Sequence, residues 1–445
     1  MRRKTSHQEI EPTHLRSSDK TGVEMNRGVG TSGKSQRRLQ LSPALVITLT
    51  IFIDITGFGM IIPLLPFYAA TFQAGSTALG VLVASFAIMQ FIFSPILGRV
   101  SDNVGRRPLL LLSILISTAS FVLFALANSF PMLLLSRIIA GMATETGVAQ
   151  AYVADTTEEK DRVKGIGRLG AALGVGFIVG PAIGGFLSAY GFWAPGLAAV
   201  ALTSLNLLFV FLFLPEPAKR RYSFVQSESK SGVSYARKLR AALTKPLIGP
   251  TLGISFTITL AFAAIPVIVP LLTISFFNFG SIEMSYVFVY IGIIQVILQG
   301  FLISRIVKGV GEQRLLAFGP LLMTVGMFLM PLLQNIAIFL ASITMISLGV
   351  GMVDTVIPSF ISKRTPADEQ GGMLGVANSV STIARVPGPL IGGSVFELWG
   401  LLASFFLSGT LLLIAFGAGC RVFHACRRIS DSAQILQTDS TQLGI

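Results

Sequence analysis

The sequence contains little charge and few of the side chains on which catalytic and metal sites are usually built. Only 12% of its 445 residues are charged and 52% are hydrophobic, whereas about a quarter of an ordinary soluble domain is charged. The two cysteines, Cys420 and Cys426, lie at or beyond the last apolar segment, so no disulfide framework or metal site is implied. The three histidines, His7, His14 and His424, lie near the chain ends. We therefore predict that the protein is not an enzyme and binds no metal.

Long apolar runs dominate what is present. Stretches of about 20 hydrophobic residues, the length of a helix that crosses a bilayer, recur along the chain. They predict an all-α membrane protein with twelve transmembrane helices. The predicted spans are 43–68, 78–97, 107–127, 131–155, 164–190, 192–214, 249–275, 283–303, 314–333, 337–362, 370–396 and 401–422.

Polar segments divide these spans into two groups of six. A basic stretch over 215–247 is predicted to be a cytoplasmic linker between an N-terminal bundle, 43–214, and a C-terminal bundle, 248–422. Residues 1–42 contain no apolar signal-peptide core and are predicted to form a disordered tail. Residues 423–445 are predicted to form a second cytoplasmic tail.

The lysines and arginines lie on one side of the predicted spans. Nine of the 34 precede the first span and eight lie in the linker. The others outside spans lie in loops that follow even-numbered spans or in the C-terminal tail. Only Arg137 and Arg385 fall well inside spans, away from the basic ends. The positive-inside rule places both termini in the cytoplasm of a multi-pass cell-membrane protein. The net charge of +13 reflects this topology and contact with anionic lipids, so we predict no nucleic-acid partner.

Two segments of the chain repeat each other. Residues 180–185 in span five read GPAIGG, and residues 388–393 in span eleven read GPLIGG, 208 positions later. The same offset places Gly141 of span four on Gly349 of span ten. A shared offset over several spans predicts the duplication of a six-helix unit. Parallel repeats of this kind build two-bundle transporters with a site near the membrane midplane.

The loop after span two carries spaced glycine, aspartate and arginine residues. These are Gly98, Asp102, Gly105, Arg106 and Arg107. Asp102 can accept hydrogen bonds from a helix N-terminus, and the two arginines can pair with acids at the cytoplasmic rim. Such a cluster can break and reform, and we interpret it as a gate. Its spacing resembles the loop 2–3 signature of the major facilitator superfamily.

Other spans extend this resemblance. Span four contains Arg137 and Gly141 in the spacing of the arginine motif of that superfamily, and span one, around Asp54, is similar to tetracycline-efflux exporters. Span five resembles the signature of the drug:proton antiporter branch, with glycines that form a smooth strip for helix packing. The residues of this strip are Gly176, Gly180, Pro181, Gly184 and Gly185. The resemblance implies the major facilitator fold, and it is thinner in the second half.

Three of the 21 acidic residues lie well inside spans, where an unpaired charge is costly. Two of them, Asp54 and Glu145, lie about fourteen residues, or roughly 21 Å, from the outer face. We predict that they share protons, with Arg137 as their counter-charge. The third, Asp354, is expected to pair with Arg385 across spans ten and eleven. The alternative is that each acid only neutralises a nearby arginine.

These features predict a proton-coupled antiporter that exports a small lipophilic or drug-like solute by alternating access. Gln90 is a candidate polar residue of an otherwise apolar cavity. The proton gradient needs no cofactor, and the sequence has no phosphate loop for ATP. The predicted partners are a small-molecule substrate, protons and membrane lipids, and the chain is expected to work as a monomer. Proton symport or uniport of a nutrient such as a sugar, and a non-transporting receptor or scaffold, are the alternatives.

Overall fold

A computed structural model describes residues 42–143, 145–157, 159–217, 235–332, 335–366 and 369–442. All regular secondary structure in these ranges is helical. The α-helices are α1 Pro43–Ile61, α2 Leu65–Thr71, α3 Ser76–Val104, α4 Arg106–Ala125, α5 Phe130–Met142, α6 Glu145–Thr156, α7 Glu159–Ser188, α8 Trp193–Phe213, α9 Tyr235–Thr244, α10 Ile248–Ala263, α11 Ile265–Phe277, α12 Ser281–Ile297, α13 Ile303–Val310, α14 Glu312–Leu329, α15 Ile336–Ser362, α16 Gln370–Arg385 and α17 Pro387–Gln442. A short 3₁₀ turn, Ile62–Leu64, and a π turn, Leu298–Leu302, join neighbouring helices.

Ten helical segments of the described chain are long and apolar enough to cross a membrane. One of them, Gln370–Arg428, is 59 residues long. It is interrupted at Gly400, whose φ of +83° and ψ of −179° are not helical. Helix α14 is not among the ten, and its first turn contains Glu312 and Arg314. The all-α membrane architecture is confirmed, and the number of twelve spans stays a prediction.

Several predicted spans consist of two helices. Pro63 lies in the 3₁₀ turn between α1 and α2, and Pro266 lies in the first turn of α11, where the missing amide proton is tolerated. Span four divides without proline, because Ala143, with φ −79° and ψ 139°, is extended between α5 and α6. Residues 143–147 read ATETG, and threonine and glycine have low helix propensity. This division leaves Glu145 as the first residue of α6.

The polar segments are only partly covered by the structure. Almost all of the predicted tail over 1–42 lies outside the described residues, and so do residues 218–234 of the predicted linker. Within the linker, α9 is helical, and α17 continues as helix through most of the predicted C-terminal tail. At the start of the described chain, the hydroxyl of Ser42 accepts a hydrogen bond from the amide of Leu45 and caps α1.

The repeated glycine segments pack in the same way in the two halves. In the first half, a Cβ atom at Gly180 would lie 2.5 Å from the carbonyl oxygen of Thr56, so α7 lies directly on α1. Gly176 and Gly184 contact α1 one turn to either side. In the second half, a Cβ atom at Gly388 would lie 2.6 Å from the carbonyl oxygen of Leu260 on α10. Only glycine allows backbones to approach this closely.

We call the helix ends near the α3–α4 turn the basic face and the ends near the α2–α3 turn the charge-poor face. The halves meet near the charge-poor face, where a Cβ atom at Gly80 of α3 would lie 2.5 Å from the carbonyl oxygen of Pro389 on α17. On a second pair of helices, α7 and α12, the hydroxyl oxygens of Ser188 and Ser281 are 2.8 Å apart.

Toward the basic face the same helices separate. A Cβ atom added at Gly98 of α3 or Gly170 of α7 would meet nothing within 4 Å, and the same holds at Gly375 of α16. The space between the two halves is therefore closed at the charge-poor face and open at the basic face.

Candidate substrate and proton site

Glu145 is the most enclosed carboxylate of the site. Its residue is only 4% exposed, and the hydroxyl of Ser117 on α4 donates to its Oε1 atom over 2.6 Å. As the first residue of α6, it also lies at the positive end of that helix dipole. The break between α5 and α6 therefore supplies this carboxylate with a hydrogen bond and a favourable field inside a membrane span.

Asp54 faces this carboxylate from α1. Its side chain is half-buried, and the negative charge of Glu145 acts on it electrostatically. Helix α1 packs against both α6 and α7, which sets the position of Asp54. The structure thus brings the two predicted proton-sharing acids within electrostatic range of each other. The hydrogen bond that Glu145 accepts comes from Ser117 and not from Asp54.

Among the described residues, Arg137 does not form the ion pair expected of a counter-charge. It is 1% exposed, and its Nε and Nη2 atoms have no hydrogen-bond partner among the described residues. Instead, its Cζ atom lies 6.0 Å from the ring centroid of Phe124. Cation–π attraction at this distance compensates only part of the cost of burying a guanidinium group. The charge remains inside the first half, one to two turns before the helix break.

The two predicted charged residues of the second half lie on open surfaces. Asp354 on α15 and Arg385 at the end of α16 are both exposed. The positive charge of Arg385 acts on Asp354 electrostatically, but no ion pair within 4.0 Å joins them among the described side chains. Asp354 and Arg385 therefore do not form the expected ion pair in this conformation. Gln90 of α3 is half-buried. Exposed polar groups in membrane-spanning helices usually line a water-filled cavity, and the opening at the basic face provides one.

The predicted gate residues form a network at the basic face. Arg106 pairs with Asp102 over 2.8 Å and with Asp155 of α6 over 2.7 Å. Gly105, with φ +116°, makes the turn between α3 and α4 that allows this approach. All of these contacts lie within the first half. In this open conformation the network does not bridge the two halves.

A different residue caps the helix that follows the gate. The carboxylate of Glu216, just after α8, accepts hydrogen bonds from the amides of Arg106 and Arg107 over 2.8 and 2.9 Å. The expectation that Asp102 caps a helix N-terminus is thus not met here, since its side chain is bound by Arg106. The side chain of Arg107 donates instead to the carbonyl oxygen of Phe211 over 2.5 Å.

At the charge-poor face, one acid binds across the two halves. The Oε2 atom of Glu397, which lies just before the Gly400 break, accepts hydrogen bonds from the amide of Thr77 over 2.8 Å and from the hydroxyl of Ser76 over 3.3 Å. It therefore caps α3 from the opposite half. This contact lies close to the approach of α3 and α17, and it joins the two halves at the closed face.

Comparison with known proteins agrees with this architecture. Residues 47–389 and 300–428 match the model of the Major Facilitator Superfamily. The chain belongs to the major facilitator superfamily. Its relatives within this superfamily include the class E tetracycline resistance protein of Escherichia coli, which is 31% identical over 405 residues that cover 88% of this chain and 98% of that protein. Multidrug resistance protein 1 of Bacillus subtilis is 31% identical over 365 residues, with coverages of 79% and 90%.

Solved structures of the superfamily show the same fold. The human organic anion transporter MFSD10 has a TM-score of 0.63 and 25% identity, with 84% of this chain and 98% of that chain covered. A bacterial homologue of the human lysosomal transporter Spinster has a TM-score of 0.71 at 16% identity, with 87% and 98% covered. The recognised family and the major facilitator fold are therefore both confirmed.

Sequence reasoning missed four residues of these sites: Ser117, Asp155, Glu216 and Glu397. Each is an acid or hydroxyl that acts on residues far away in the chain, and no local motif marks the three acids. Ser117 did leave a signal, because Ser113, Ser117 and Ser120 follow one another at helical spacing in an otherwise apolar span. All three serines are buried, so α4 presents a polar stripe to the interior of the first half.

Proposed function

We propose that this protein is a proton-coupled antiporter that exports a small lipophilic or drug-like solute. The observation that carries the proposal is the placement of Glu145 and Asp54 together inside the first half, which also buries Arg137. Acids that are kept from water inside a membrane mark proton relays and substrate pathways. The names of the tetracycline and multidrug resistance relatives support a drug-like solute.

In the proposed cycle, a proton and the solute compete for the same charged region. Solute enters from the basic face while the acids are deprotonated. A proton arriving from the other side neutralises Asp54 or Glu145, weakens the binding of solute and favours its release outward. Because each ligand changes the affinity of the other, the downhill movement of protons drives the uphill movement of solute.

The two halves supply the movement. The contacts at the charge-poor face, including those of Ser188, Ser281 and Glu397, break when the protein opens outward. The network around Arg106 is then free to reach the opposite half and to close the basic face. In this proposal the predicted gate residues act in the conformation opposite to the one described here.

The decisive experiment uses purified protein in liposomes with an imposed pH gradient. The panel contains a tetracycline-like compound, a lipophilic cation, an organic anion and a sugar. We expect gradient-driven movement of a drug-like compound, which the Asp54→Asn variant abolishes. Glu283→Gln is the matched control, because Glu283 caps α12 at the charge-poor face and lies outside the site. Movement of the sugar that needs no gradient and is unaffected by Asp54→Asn would overturn the proposal.

A further inference from the structure

Two uncharged polar side chains of the first half are fully buried and lack a hydrogen-bond partner in the part of the chain that the structure describes. The hydroxyl of Ser113 on α4 and both polar atoms of the Asn206 amide on α8 form no hydrogen bond among the described residues, and both residues are 0% exposed. Burying a polar group without a hydrogen bond costs free energy, and native proteins rarely leave three such atoms unsatisfied.

The register of α4 and α8 places these three atoms at one level. Near the basic face, the Arg107 side chain reaches the carbonyl of Phe211. Near the charge-poor face, a Cβ atom at Gly196 would lie 2.8 Å from the Cβ atom of Ala125. Between these two contacts the helices run antiparallel, which brings Asn206 to about the level of Ser113. Both are buried residues of their helices, and α4 and α8 pack against each other.

This level lies one helical turn from the proton site. Ser117 follows Ser113 by four residues, on the same face of α4, and its hydroxyl donates to the carboxylate of Glu145. Toward the basic face, the next buried residues on the two helices are apolar, namely Leu110 on α4 and Val210 on α8. The polar atoms of Ser113 and Asn206 thus lie one turn from Ser117, with buried apolar side chains on the side of the basic face.

We propose that Ser113 and Asn206 hold an internal water molecule beside Ser117. A buried water typically makes about three hydrogen bonds to groups that have no other partner. The serine hydroxyl can donate or accept, the amide oxygen accepts and the amide nitrogen donates, so the set matches one water. Its site lies inside the first half, away from the space between the two halves.

The consequence for transport rests on the proposed function. The Ser117 hydroxyl donates its only proton to Glu145 and keeps lone pairs to accept a hydrogen bond from the water. Ser113 and Asn206 then act as positioning residues, because the water orients this hydroxyl and keeps it directed at the carboxylate. Loss of the water frees the hydroxyl to turn toward a backbone carbonyl, which disfavours the ionised form of Glu145.

The water site is tested first without transport. Asn206→Leu and Ser113→Ala replace polar atoms by apolar groups of similar or smaller size, and Thr203→Val is the matched control. Thr203 lies one turn away on α8, is 1% exposed and has its hydroxyl satisfied by the carbonyl of Ala199. If a water molecule forms hydrogen bonds with the polar atoms of Ser113 and Asn206, Asn206→Leu removes these bonds and lowers the apparent melting temperature. A rise in melting temperature in both variants would show that the atoms are unsatisfied and would overturn the proposal.

Infrared spectroscopy gives a second test, because it detects the internal water directly. A purely structural role of Ser113 and Asn206 would not change a water band. We expect a band of a strongly hydrogen-bonded internal water, which shifts in heavy-oxygen water and disappears in Asn206→Leu but persists in Thr203→Val. The carboxyl band that Glu145→Gln removes should shift in Asn206→Leu as well. A water band unchanged by both Asn206→Leu and Ser113→Ala would contradict the site.

Transport then separates the two proposals. If both are right, Asn206→Leu displaces the pH profile of gradient-driven export, whereas Thr203→Val leaves it in place. If the water band behaves as expected while no variant and no gradient affects transport, the water site stands and the antiporter proposal fails. An unchanged pH profile in a coupled transporter whose water band is lost would remove the positioning role.

Discussion

The two halves of this protein share a helical framework and differ in where they keep their charges. The first half buries Arg137 and Glu145, which are 1% and 4% exposed, and half-buries Asp54. The second half leaves Asp354 and Arg385 on open surfaces. The two halves therefore share glycine-mediated helix packing but differ in the burial of their charged residues. We infer that the first half handles protons and that the second half mainly contacts solute.

The turns at the basic face show the same contrast. Gly105 and Gly311 both have positive φ and occupy equivalent turns. In the first half the turn leads to Arg106 and its two acids, whereas in the second half it leads to Glu312, which pairs with Lys363 over 2.8 Å. Both halves therefore have a glycine with positive φ at this turn, but the residue that follows it is the basic Arg106 in the first half and the acidic Glu312 in the second.

The largest expected effect separates the acids of the two halves. On the proposed function, Asp54→Asn and Glu145→Gln should each reduce gradient-driven export about 100-fold or more, because each removes a proposed proton-transfer group. Asp354→Asn should reduce it much less and mainly change the apparent affinity for solute. The measurement is export from liposomes as a function of pH gradient and solute concentration. Loss of coupling in Asp354→Asn with full coupling in both first-half variants would reverse the assignment.

The buried arginine gives the next largest difference. Arg137→Met should lower coupled export about ten-fold or more, because the half that holds the two acids loses its buried positive charge. The same change should raise the apparent melting temperature, since the buried Nε and Nη2 atoms of Arg137 have no hydrogen-bond partner among the described residues and their burial is destabilising. Arg385→Met, on an exposed surface, should leave the melting temperature nearly unchanged. A fall in melting temperature in Arg137→Met would show that the guanidinium has a partner that stabilises it.

The shared framework predicts equal effects in the two halves. Gly180→Ala and Gly388→Ala each add a Cβ atom within 2.5 or 2.6 Å of a backbone oxygen on the neighbouring helix. Overpacking of this kind costs about 1–3 kcal/mol, and both variants should lose comparable thermal stability. Gly98→Ala is the control, because its Cβ atom would meet nothing within 4 Å. A large difference between Gly180→Ala and Gly388→Ala would argue against equivalent packing.

A smaller effect is expected from acidification of the second-half turn. Partial burial raises the pKa of the Glu312 carboxyl, but hydrogen bonds from Lys363 and Ser359 outweigh it and hold that pKa below its ordinary value. The stabilisation is therefore complete above the pKa of an unfolded glutamate and is lost as the pH falls through the lower folded pKa. Melting curves of the parent protein and Glu312→Gln over acidic pH should converge at the low end. Parallel curves would exclude this contribution.

The smallest effect concerns the contact that joins the halves. Glu397→Gln keeps the shape of the side chain but removes the charge that caps α3, so the closed charge-poor face should open more often. Labelling of a cysteine introduced near Thr77 by a membrane-impermeant reagent measures this opening. Glu283→Gln, which changes a cap within one half, is the control. Equal labelling of the two variants would show that Glu397 does not hold the face closed.

Much of the architecture could be predicted from the sequence alone. The membrane class, the superfamily and the repeat follow from apolar length, charge placement and spaced glycines, which are local or periodic features. The partners of Arg106 and Glu145 could not be predicted, because Asp155 and Ser117 reach them from other helices. The break at Ala143 was also missed, since helix propensity over 143–147 is only weakly unfavourable and gives no sharp stop.

The sequence by itself determined that the chain is a two-part membrane transporter, because the cost of burying charge in lipid and the positive-inside rule act on every span independently. The tertiary structure alone decided which charges are buried, which are exposed and which are paired. Those outcomes depend on the register and crossing of helices that are distant in sequence, and a shift of one turn would give Glu145 a different neighbour. This dependence on helix register and crossing also explains why the two halves contain such different polar groups although their glycine segments are equivalent.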